Sequence, residues 1–372
     1  MKTIRVVSNG FGEDVIATRL IQALGQDDYR YDIYPLVGDG NAYQQLGIQP
    51  SMSQSMLPSG GFLLRLRDVL VDLRSGLLLQ FQKQRQALAK GSADVQLVVG
   101  DVLALFMAEV NSKIPIVFFP TAKSERAIPH YGLELSYIRS KATLVFPRDE
   151  DTHQRFLDKG IASRFFGNPM FDAMTSNAKR GVPMTMALLP GSRQEAIQNM
   201  AMMLRVISHL HLDEPCSFVF SISPHFRYPE LKMVIQDLPW LLEKDDQGYF
   251  FKFSQSKVIA RLSYEFFDVL QVSSVVIGLA GTANEQAMHA KRHLISFIGS
   301  GPQSTKQRFQ QQHRLIEGAS TNFIDSNDPG IIAREVSDIL NQRSFDWTPL
   351  SDHYQMASDV IADYLHQTVL SE

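Results

Sequence analysis

The sequence predicts an α/β protein with two parallel sheets, one in each half of the chain. At 372 residues the chain is too long for one ordinary hydrophobic core and suits two domains. Short runs rich in β-branched residues alternate with segments of helical period, which is typical of parallel strands joined by helices. The pattern restarts near the middle of the chain, so we expect one sheet in each domain.

The predicted strands fall into two sets. Those of the first half are residues 4–8, 31–35, 95–99, 114–119 and 142–146, with a short one at 164–166. Those of the second half are residues 184–189, 216–221, 275–277, 294–297 and 322–324, and its clearest helices are residues 195–210 and 305–317.

A polar segment separates the two sets. Residues 175–183 contain Gly and Pro and have no apolar period, which indicates a linker with the domain boundary near Gly181. The chain is therefore predicted to divide into residues 1–180, residues 181–348 and a last segment, residues 349–372. The helical spacing of the last segment suits a helix that packs back on the first domain.

The composition excludes several classes of protein. A formal net charge of −3 is too balanced for a dedicated nucleic-acid binder. The single cysteine, Cys216, cannot form an internal disulfide or a multi-cysteine metal site, and its apolar neighbours predict a buried strand residue. The N-terminus is typical of a first strand and not of a signal peptide, and no apolar run approaches the about 20 residues that span a membrane. We therefore expect a cytoplasmic protein.

The first candidate ligand site is the loop after the predicted strand 184–189. Ligands of parallel sheets bind at the carboxyl ends of strands, where helix N-termini offer unpaired N–H groups to anions. Gly191 permits close approach of the backbone, Ser192 can donate a hydrogen bond, and Arg193 carries a planar fork of donors that suits phosphate. A strand-to-helix turn capped by Ser192 explains the same residues equally well.

A second turn of this kind follows the predicted strand 275–277. Gly281 and the N–H groups of Thr282 and Ala283 can hold a diphosphate at the start of a helix. Glu285 or Gln286, one turn further on, can bond to ribose hydroxyls. An ordinary capped helix is again the alternative, but two such turns in one domain favour a phosphate site.

Acidic residues follow two strands of the first half. Residues 9–14 (Asn-Gly-Phe-Gly-Glu-Asp) form a glycine-rich turn, in which Glu13 or Asp14 can orient or deprotonate a hydroxyl. Asp14 also suits the N-cap of the next helix. Asp101 directly follows Gly100 at the end of another strand and is a further candidate base.

A basic segment runs from Phe62 to Lys90. Its apolar residues have helical spacing, and it carries six basic residues against two acidic ones. Such a helix can lie in the headgroup layer of an anionic membrane. A core-packed helix with a solvated basic face is the alternative.

Motifs of several enzyme classes are absent from the sequence. There is no P-loop, no Gly-x-Gly-x-x-Gly fingerprint and no His-Glu-x-x-His. The acidic residues 149–151 open a helix, where carboxylates favour the positive end of the dipole, so we interpret them as structural. The sequence therefore predicts no metal site and gives no support to a kinase, a dehydrogenase or a zinc hydrolase.

Three stretches together resemble lipid-A-disaccharide synthase and its relatives, a family of glycosyltransferases with the GT-B fold. They are residues 166–174 (Phe-Gly-Asn-Pro-Met-Phe-Asp-Ala-Met), 188–195 (Leu-Leu-Pro-Gly-Ser-Arg-Gln-Glu) and 280–283 (Ala-Gly-Thr-Ala). The basic segment followed by residues 98–101 extends the likeness, which covers the chain to about Ser300.

The resemblance implies two Rossmann-like domains facing across a cleft, residues 1–180 for the acceptor and residues 181–348 for a nucleotide sugar. It implies transfer of a sugar of N-acetylglucosamine type from a UDP-sugar to a lipid-linked or glycolipid acceptor. The reaction would take place at the inner face of the membrane, without a metal or another cofactor. Asp101 matches the family's catalytic aspartate region, one residue closer to Gly100 than the family places it.

The chain departs from the family at three places. Gln286 stands where the family has Glu, and an amide cannot accept with both terminal atoms as a carboxylate does. Residues 299–305 and 318–322 stand in place of a Ser-Leu-Pro-Asn stretch, and residues 9–14 differ from the family's small-residue first turn. These loops would contact the base and the acceptor, so we expect a relative with its own substrates and not the lipid A enzyme itself.

Two other functions stay open on the sequence. A UDP-sugar epimerase of the same fold would need acids and bases on both sides of the sugar but no lipid acceptor. A non-catalytic relative that binds a glycolipid or a nucleotide is indicated by Gln286 and Phe11, which stand where more reactive groups would serve catalysis.

Overall fold

The computed structural model describes residues 1–10, 12–52, 77–110, 113–172, 184–316, 318–342, 344–345 and 356–371. The chain divides into two compact units. Unit 1 consists of Met1–Asp172 and Tyr354–Glu372, and unit 2 consists of Ala173–His353. The predicted boundary near Gly181, Phe11 of the first predicted turn and residues 62–76 of the basic segment lie outside the described residues.

Unit 1 is built on a five-stranded parallel sheet with the strand order β2-β1-β3-β4-β5. Its strands are β1 (Thr3–Ser8), β2 (Arg30–Pro35), β3 (Val95–Gly100), β4 (Ile116–Pro120) and β5 (Leu144–Val145). Its helices are α1 (Gly12–Leu24), α2 (Asn41–Gln45), α3 (Leu77–Lys90), α4 (Val102–Ala108), α5 (Gly132–Lys141), α6 (Glu150–Asp158) and α13 (Ala357–Gln367), with a 3-10 turn at Pro169–Phe171. The parallel sheet predicted for the first half is confirmed.

The prediction is least accurate at the last strand of this sheet. β5 has two residues, and the short strand predicted at residues 164–166 is wrong, because only a bridge between Val145 and Ser163 forms in this part of the described chain. Gly167 follows with a φ of 99°, in the left-handed region, and Pro169 has no N–H group to donate. Neither residue can extend a strand ladder.

The central strands of unit 1 are buried on both faces because helices cover both sides of the sheet. Ile4 of β1 packs with Leu20 of α1 and Ile361 of α13 on one face. Val7 of the same strand packs with Leu105 of α4 on the other. This is the expected burial of a parallel sheet, in which apolar residues run without alternation.

The last helix, α13, completes the core of unit 1. It packs against α1, and Asp172 fixes its start. The two carboxylate oxygens of Asp172 accept hydrogen bonds from the N–H groups of Ala357 at 2.8 Å and Ser358 at 2.7 Å. A buried carboxylate thus satisfies two N–H groups that the helix itself cannot pair.

Unit 2 is built on an eight-stranded sheet with the order β13-β12-β11-β6-β7-β10-β9-β8. Its strands are β6 (Met184–Leu189), β7 (Cys216–Ser221), β8 (Trp240–Asp245), β9 (Gly248–Phe253), β10 (Ile259–Ser263), β11 (Val275–Gly278), β12 (His293–Phe297) and β13 (Thr321–Ile324). Its helices are α7 (Glu195–Ser208), α8 (Tyr228–Val234), α9 (Phe266–Val272), α10 (Thr282–His289), α11 (Lys306–Leu315) and α12 (Pro329–Gln342).

The wholly parallel second sheet predicted from the sequence is wrong at one edge. β8 and β9 form an antiparallel hairpin, and β9 also pairs antiparallel with β10, which returns to lie parallel to β7. Charged residues such as Lys252 interrupt the apolar runs of these strands, so they carry a weak strand signal. The two-residue link Asp246-Gln247 between two short strands is the local feature that indicates a hairpin.

The core of unit 2 contains four fully buried aromatic side chains, Phe220, Phe226, Phe251 and Phe297. Cys216, predicted to be buried, is half-buried because it lies at the first position of β7. Burial raises the pKa of its thiol to about 12, so the group stays protonated near neutral pH. This cysteine is therefore a packing residue and not a reactive thiol.

Candidate functional site

Three loops of unit 2 meet at the carboxyl edge of its sheet. β6, β11 and β12 are parallel neighbours, and each is followed by a loop and a helix. We call residues 190–194 loop A, residues 279–281 loop B and residues 298–305 loop C; they lead into α7, α10 and α11. Because neighbouring parallel strands end at the same edge, the three loops lie side by side, with loop B between the others.

Loop A follows a path that requires glycine. The φ of Gly191 is 99°, which side chains of L-residues rarely adopt. Ser192 is exposed and Arg193 is half-buried. The carbonyl of Arg193 accepts from the N–H of Ala196 at 2.9 Å, and Gln194 stands at the N-cap of α7 without a side-chain cap bond. Ser192 therefore does not cap the helix, and the structural alternative for this residue is wrong.

Loop B places Gly281 at the N-terminus of α10. The N–H of Leu279 donates to the carbonyl of Leu189 at 2.9 Å, so loop B lies against the end of β6. A Cβ atom on Gly281 would lie 3.1 Å from the Oε1 atom of Gln303, which shows how closely loops B and C approach each other. Thr282 begins the helix and is exposed, and its N–H group has no acceptor within the helix.

Glu285 and Gln286, the predicted ribose contacts, lie on the buried face of α10. Their exposed fractions are 3% and 8%. Arg308 of α11 donates from Nη2 to the Oε1 of Glu285 at 3.2 Å, and from Nε to the Oε1 of Gln303 at 2.9 Å. The structure thus brings Glu285 together with a cation of the neighbouring helix.

Loop C, most of which the resemblance assigned to contacts with the base or the acceptor, was not predicted as part of the phosphate site. It contributes Gln303, and the φ of Gly301 is 90°, which again favours glycine. Its sequence signal is Gly-Ser-Gly-Pro at residues 299–302, directly after a predicted strand and before a predicted helix. This is the same arrangement that identified loops A and B.

The edge formed by loops A, B and C is suited to an anion. Three helices begin there, so the positive ends of three helix dipoles lie close together. Arg193 and Arg308 add positive charge, and residues 190–194, 279–283 and 298–305 contain no acidic side chain. The acidic residues beside these loops are Glu285, which pairs with Arg308, and Glu195, which lies against Gly301. A ligand with two phosphate groups would meet both charge and hydrogen-bond donors here.

In unit 1 the carboxyl edge carries carboxylates instead. Thr121 follows β4, and its hydroxyl donates to the Oε1 of Glu13 at 3.0 Å. The N–H of Thr121 donates to the carbonyl of Gly100 at 2.9 Å, and its own carbonyl accepts from the Nη1 of Arg148 at 2.8 Å. Glu13, which is half-buried, therefore stands among the loops that follow β1, β3, β4 and β5.

Asp14, the neighbour of Glu13, is turned into the interior. It is 2% exposed, and its Oδ1 accepts from the hydroxyl of Ser8 at 2.6 Å. The Oγ of Ser8 in turn accepts from the hydroxyl of Tyr43 at 2.7 Å. Burial, together with the charge of Asp14, raises the pKa of Tyr43 well above its usual range. Asp14 is not the N-cap of α1, because the helix begins two residues earlier, at Gly12.

Asp101 caps a helix, which is the alternative role that the sequence predicted for Asp14. It stands at the N-cap of α4, and its Oδ1 accepts from the N–H of Ala104 at 3.0 Å. It lies next to Gly100 and thus near the contact between Thr121 and Glu13. The structure therefore places Glu13 and Asp101 at one edge and separates Asp14 from it.

The described end of the basic segment is a packed helix. In α3, Leu88 is fully buried in the core of unit 1, and Gln84, one turn earlier, is buried and donates to the carbonyl of Leu36 at 3.0 Å. Lys83 and Lys90 are exposed. This end of the segment has the arrangement of the core-packed alternative. None of the described helices is long and apolar enough to cross a membrane.

Comparison with known proteins gives matches among solved structures. No protein-family model and no curated protein matches the chain. The Staphylococcus aureus MnaA structure with UDP has a TM-score of 0.61 at 15% identity and covers 100% of this chain and 98% of its own. Methanocaldococcus jannaschii UDP-GlcNAc 2-epimerase with UDP-GlcNAc and UDP has a TM-score of 0.53 at 15% identity, covering 98% and 99%. The calicheamicin glycosyltransferase CalG4 has a TM-score of 0.55 at 14% identity, covering 100% and 94%.

These similarities extend over nearly the whole chain at low sequence identity, so they establish a shared fold and leave the activity open. Both epimerases and glycosyltransferases occur among the structures that share it. The predicted fold class is confirmed: the chain is an α/β protein with the GT-B fold.

Proposed function

We propose that this chain is a glycosyltransferase that moves a sugar of N-acetylglucosamine type from a UDP-sugar to a lipid-linked or glycolipid acceptor. One observation carries the proposal: loops A, B and C, which themselves contain no acidic side chain, bring three helix N-termini together with Arg193 and Arg308 at one edge. The diphosphate of a nucleotide sugar suits such an edge. Two structures of the same fold contain UDP, which supports the uridine nucleotide as the donor.

The donor diphosphate would lie on the N–H groups of loops A and B. In this proposal Gly191 and Ser192 hold one phosphate and Thr282 and Ala283 the other, while Arg193 donates to a phosphate oxygen. Negative charge grows on the leaving diphosphate as its bond to the sugar breaks. Donors fixed in advance at this place therefore stabilise the transition state more than the ground state.

The ribose contact is proposed for the first turns of α10. Glu285 is engaged by Arg308, so its proposed role is to hold that cation beside loops B and C. Gln286, the other predicted ribose contact, is the candidate for a ribose hydroxyl. The amide of Gln286 can both donate and accept, whereas the Glu that the lipid-A-disaccharide synthase family has at this position can only accept.

Glu13 is the proposed general base for the acceptor. It is half-buried at the carboxyl edge of unit 1, and the hydrogen bond from Thr121 orients its carboxylate. The base would take the proton of the acceptor hydroxyl as that oxygen attacks the anomeric carbon, so the configuration inverts. Asp101 is the second candidate, with one oxygen engaged by the N-cap bond, and Asp14 supports the turn from the interior.

The acceptor class is proposed from the basic segment Phe62 to Lys90. Lys83 and Lys90 are exposed on α3, and a peripheral contact with anionic lipid would bring a lipid-linked sugar to the protein. We expect the protein to pellet with anionic vesicles at low salt and to be released as salt rises. Absence of pelleting with anionic vesicles at low salt would contradict the membrane part of the proposal.

The test of the proposed activity has two stages. A panel of nucleotide sugars is screened by thermal shift, because a ligand that binds only the folded state raises its stability. We expect UDP-sugars to raise the melting temperature. The protein is then given UDP-N-acetylglucosamine with a short-chain glycolipid, and release of UDP should depend on the acceptor. No thermal shift with any UDP-sugar would contradict the donor assignment.

A UDP-sugar epimerase is the second candidate function, and the similarity to UDP-GlcNAc 2-epimerase over nearly the whole chain favours it. The two candidates differ in their need for an acceptor. Incubation with UDP-N-acetylglucosamine alone distinguishes them, because an epimerase forms the epimer or releases UDP without any acceptor. A transferase should leave UDP-N-acetylglucosamine intact during the same incubation, because no acceptor is present.

A further inference from the structure

Buried side chains hold the backbone carbonyls of loops A and C. Asn199 of α7 is 1% exposed, and its Nδ2 donates to the carbonyls of Pro190 at 2.9 Å and Ser300 at 3.2 Å. Its Oδ1 accepts from the N–H of Ser300 at 2.8 Å. One buried amide therefore joins the two outer loops and draws a carbonyl of each toward the interior of unit 2.

A second buried amide holds two backbone carbonyls of loop B. Gln312 of α11 is 0% exposed, and its Nε2 donates to the carbonyls of Ala280 at 3.2 Å and Gly281 at 2.9 Å. With the amide turned over, its oxygen would face two carbonyl oxygens, so chemistry favours the donor orientation.

The direction of these carbonyls determines the direction of the N–H groups. In a trans peptide the C=O and the N–H of the following residue point in opposite directions. Carbonyls of residues 190, 280, 281 and 300 drawn inward therefore turn the N–H groups of Gly191, Gly281, Thr282 and Gly301 outward. The carbonyl of Gly281 is held in addition by the N–H of Asn284 at 3.1 Å, in the first turn of α10. Within the described part of the chain, none of these four N–H groups donates to a protein acceptor.

We propose that Gln312 and Asn199 are positioning residues that make this edge selective for anions. By holding the carbonyls they remove the negative ends of the loop peptides from the ligand and present the N–H ends. The inference rests on the proposed function and deepens it, because it names residues outside the ligand contacts that would make the edge select the diphosphate. Its new element is the pair of buried amides that prepares the edge for the diphosphate, as distinct from the nucleoside.

The test compares three probes on one variant and its control. Gln312→Met keeps the length of the side chain and removes both donors. Gln310→Met changes an exposed glutamine of the same helix and serves as the control. Affinities for UDP, uridine and inorganic pyrophosphate are measured by calorimetry, and thermal unfolding confirms that the variants are folded. We expect Gln312→Met to weaken the binding of UDP and of pyrophosphate by about tenfold and the binding of uridine by less than about twofold. The control should bind all three probes as the wild type does.

The outcomes separate this inference from the proposed function. Equal losses for UDP and uridine, or no loss of pyrophosphate binding, overturn the positioning role, since a merely structural defect does not distinguish the probes. Should Gln312→Met not fold, Asn199→Leu tests the same selectivity at loops A and C. Wild-type protein that binds pyrophosphate but no UDP contradicts the nucleotide donor and leaves an anion-selective edge. Wild-type protein that binds neither overturns both.

Discussion

The carboxyl edges of the two sheets differ in how many of their helix N-termini are filled by the chain's own carboxylates. Both sheets bring helix N-termini to that edge, because their strands there are parallel and lead into helices. In unit 1 the chain places its own acidic side chains at these positions: Glu13 in the first turn of α1, Asp101 at the cap of α4 and Asp149 at the cap of α6. In unit 2, loops A, B and C contain no acidic side chain. The first-turn acids of the helices that follow are Glu195, which lies against Gly301, and Glu285, which Arg308 neutralises.

This difference teaches that topology provides the helix dipoles and side chains decide what satisfies them. Where the protein supplies its own carboxylates, an added anion would be repelled, and the edge can instead hold or move a proton. Where the carbonyls are held inward and the N–H groups are left to a ligand, a diphosphate fits. We therefore propose two complementary kinds of site on one fold, and each of the following changes tests one side of the comparison.

The largest expected effect is at the acidic edge. Glu13→Gln should lower turnover by about 100-fold or more, because a general base contributes about 10²–10⁴ to the rate. UDP affinity should stay unchanged, since the substitution is in unit 1. Steady-state kinetics and calorimetry check the two expectations, with Glu150→Gln, an exposed first-turn residue of α6, as the control. Full turnover in Glu13→Gln would exclude this residue as the base.

The next effect is at the anion-binding edge. Arg193→Ala should weaken the binding of UDP by about 30-fold, because a hydrogen bond to a charged group contributes about 1.5–3 kcal/mol. Arg205→Ala, at an exposed position further along α7, should leave UDP affinity unchanged. Calorimetric titration of both variants measures the difference. Equal affinities in the two variants would remove Arg193 from the donor site.

A third change concerns the helix N-terminus that unit 1 fills with Asp172. Asp172→Ala should lower the free energy of unfolding by about 2 kcal/mol, because two buried N–H groups, of Ala357 and Ser358, lose their acceptor. UDP affinity should not change. Asp359→Ala, an exposed residue in the same first turn, is the control. Denaturant unfolding measures both; a loss of less than about 0.5 kcal/mol in Asp172→Ala would contradict the capping role.

The smallest expected effect is a pH dependence in unit 1. Burial lowers the pKa of His130, although its hydrogen bond to the carboxylate of Glu125 opposes the shift. The unfolded chain therefore binds a proton below about pH 6.5 that the folded chain does not, so stability is lost as pH falls from about 7 toward the folded pKa. His130→Gln should flatten this part of the pH profile of unfolding. The same slope in wild type and variant would show that His130 does not carry the effect.

Loops A and B could be predicted from the sequence because their signal is local. In each, a buried strand is followed at once by glycine, a hydroxyl or an arginine and a helical pattern. Asn199 and Gln312 could not, since they lie inside helices and look like ordinary polar positions. Asn199 acts on Ser300, 101 residues away, and Gln312 on Gly281, 31 residues away. Only the folded sheet brings such partners together.

The acidic edge shows the same limit. Sequence reasoning offered Asp14 as a helix cap and Asp101 as a base, and the structure shows Asp101 as the cap. Asp14 is turned inward by Ser8, whose other partner is the hydroxyl of Tyr43, 35 residues further along the chain. Spacing alone cannot tell which of two neighbouring carboxylates finds a buried partner. The sequence could still place Glu13 in the turn that follows β1, where it accepts a hydrogen bond from Thr121.

The most direct test of the central claim is a crystal structure of the protein with UDP at saturating concentration. We expect the diphosphate at the carboxyl edge of unit 2, with phosphate oxygens within about 3 Å of the N–H groups of Gly191 and Thr282 and of the guanidinium of Arg193. A diphosphate bound elsewhere, or no bound UDP at saturation, would contradict the assignment of loops A, B and C as the donor site.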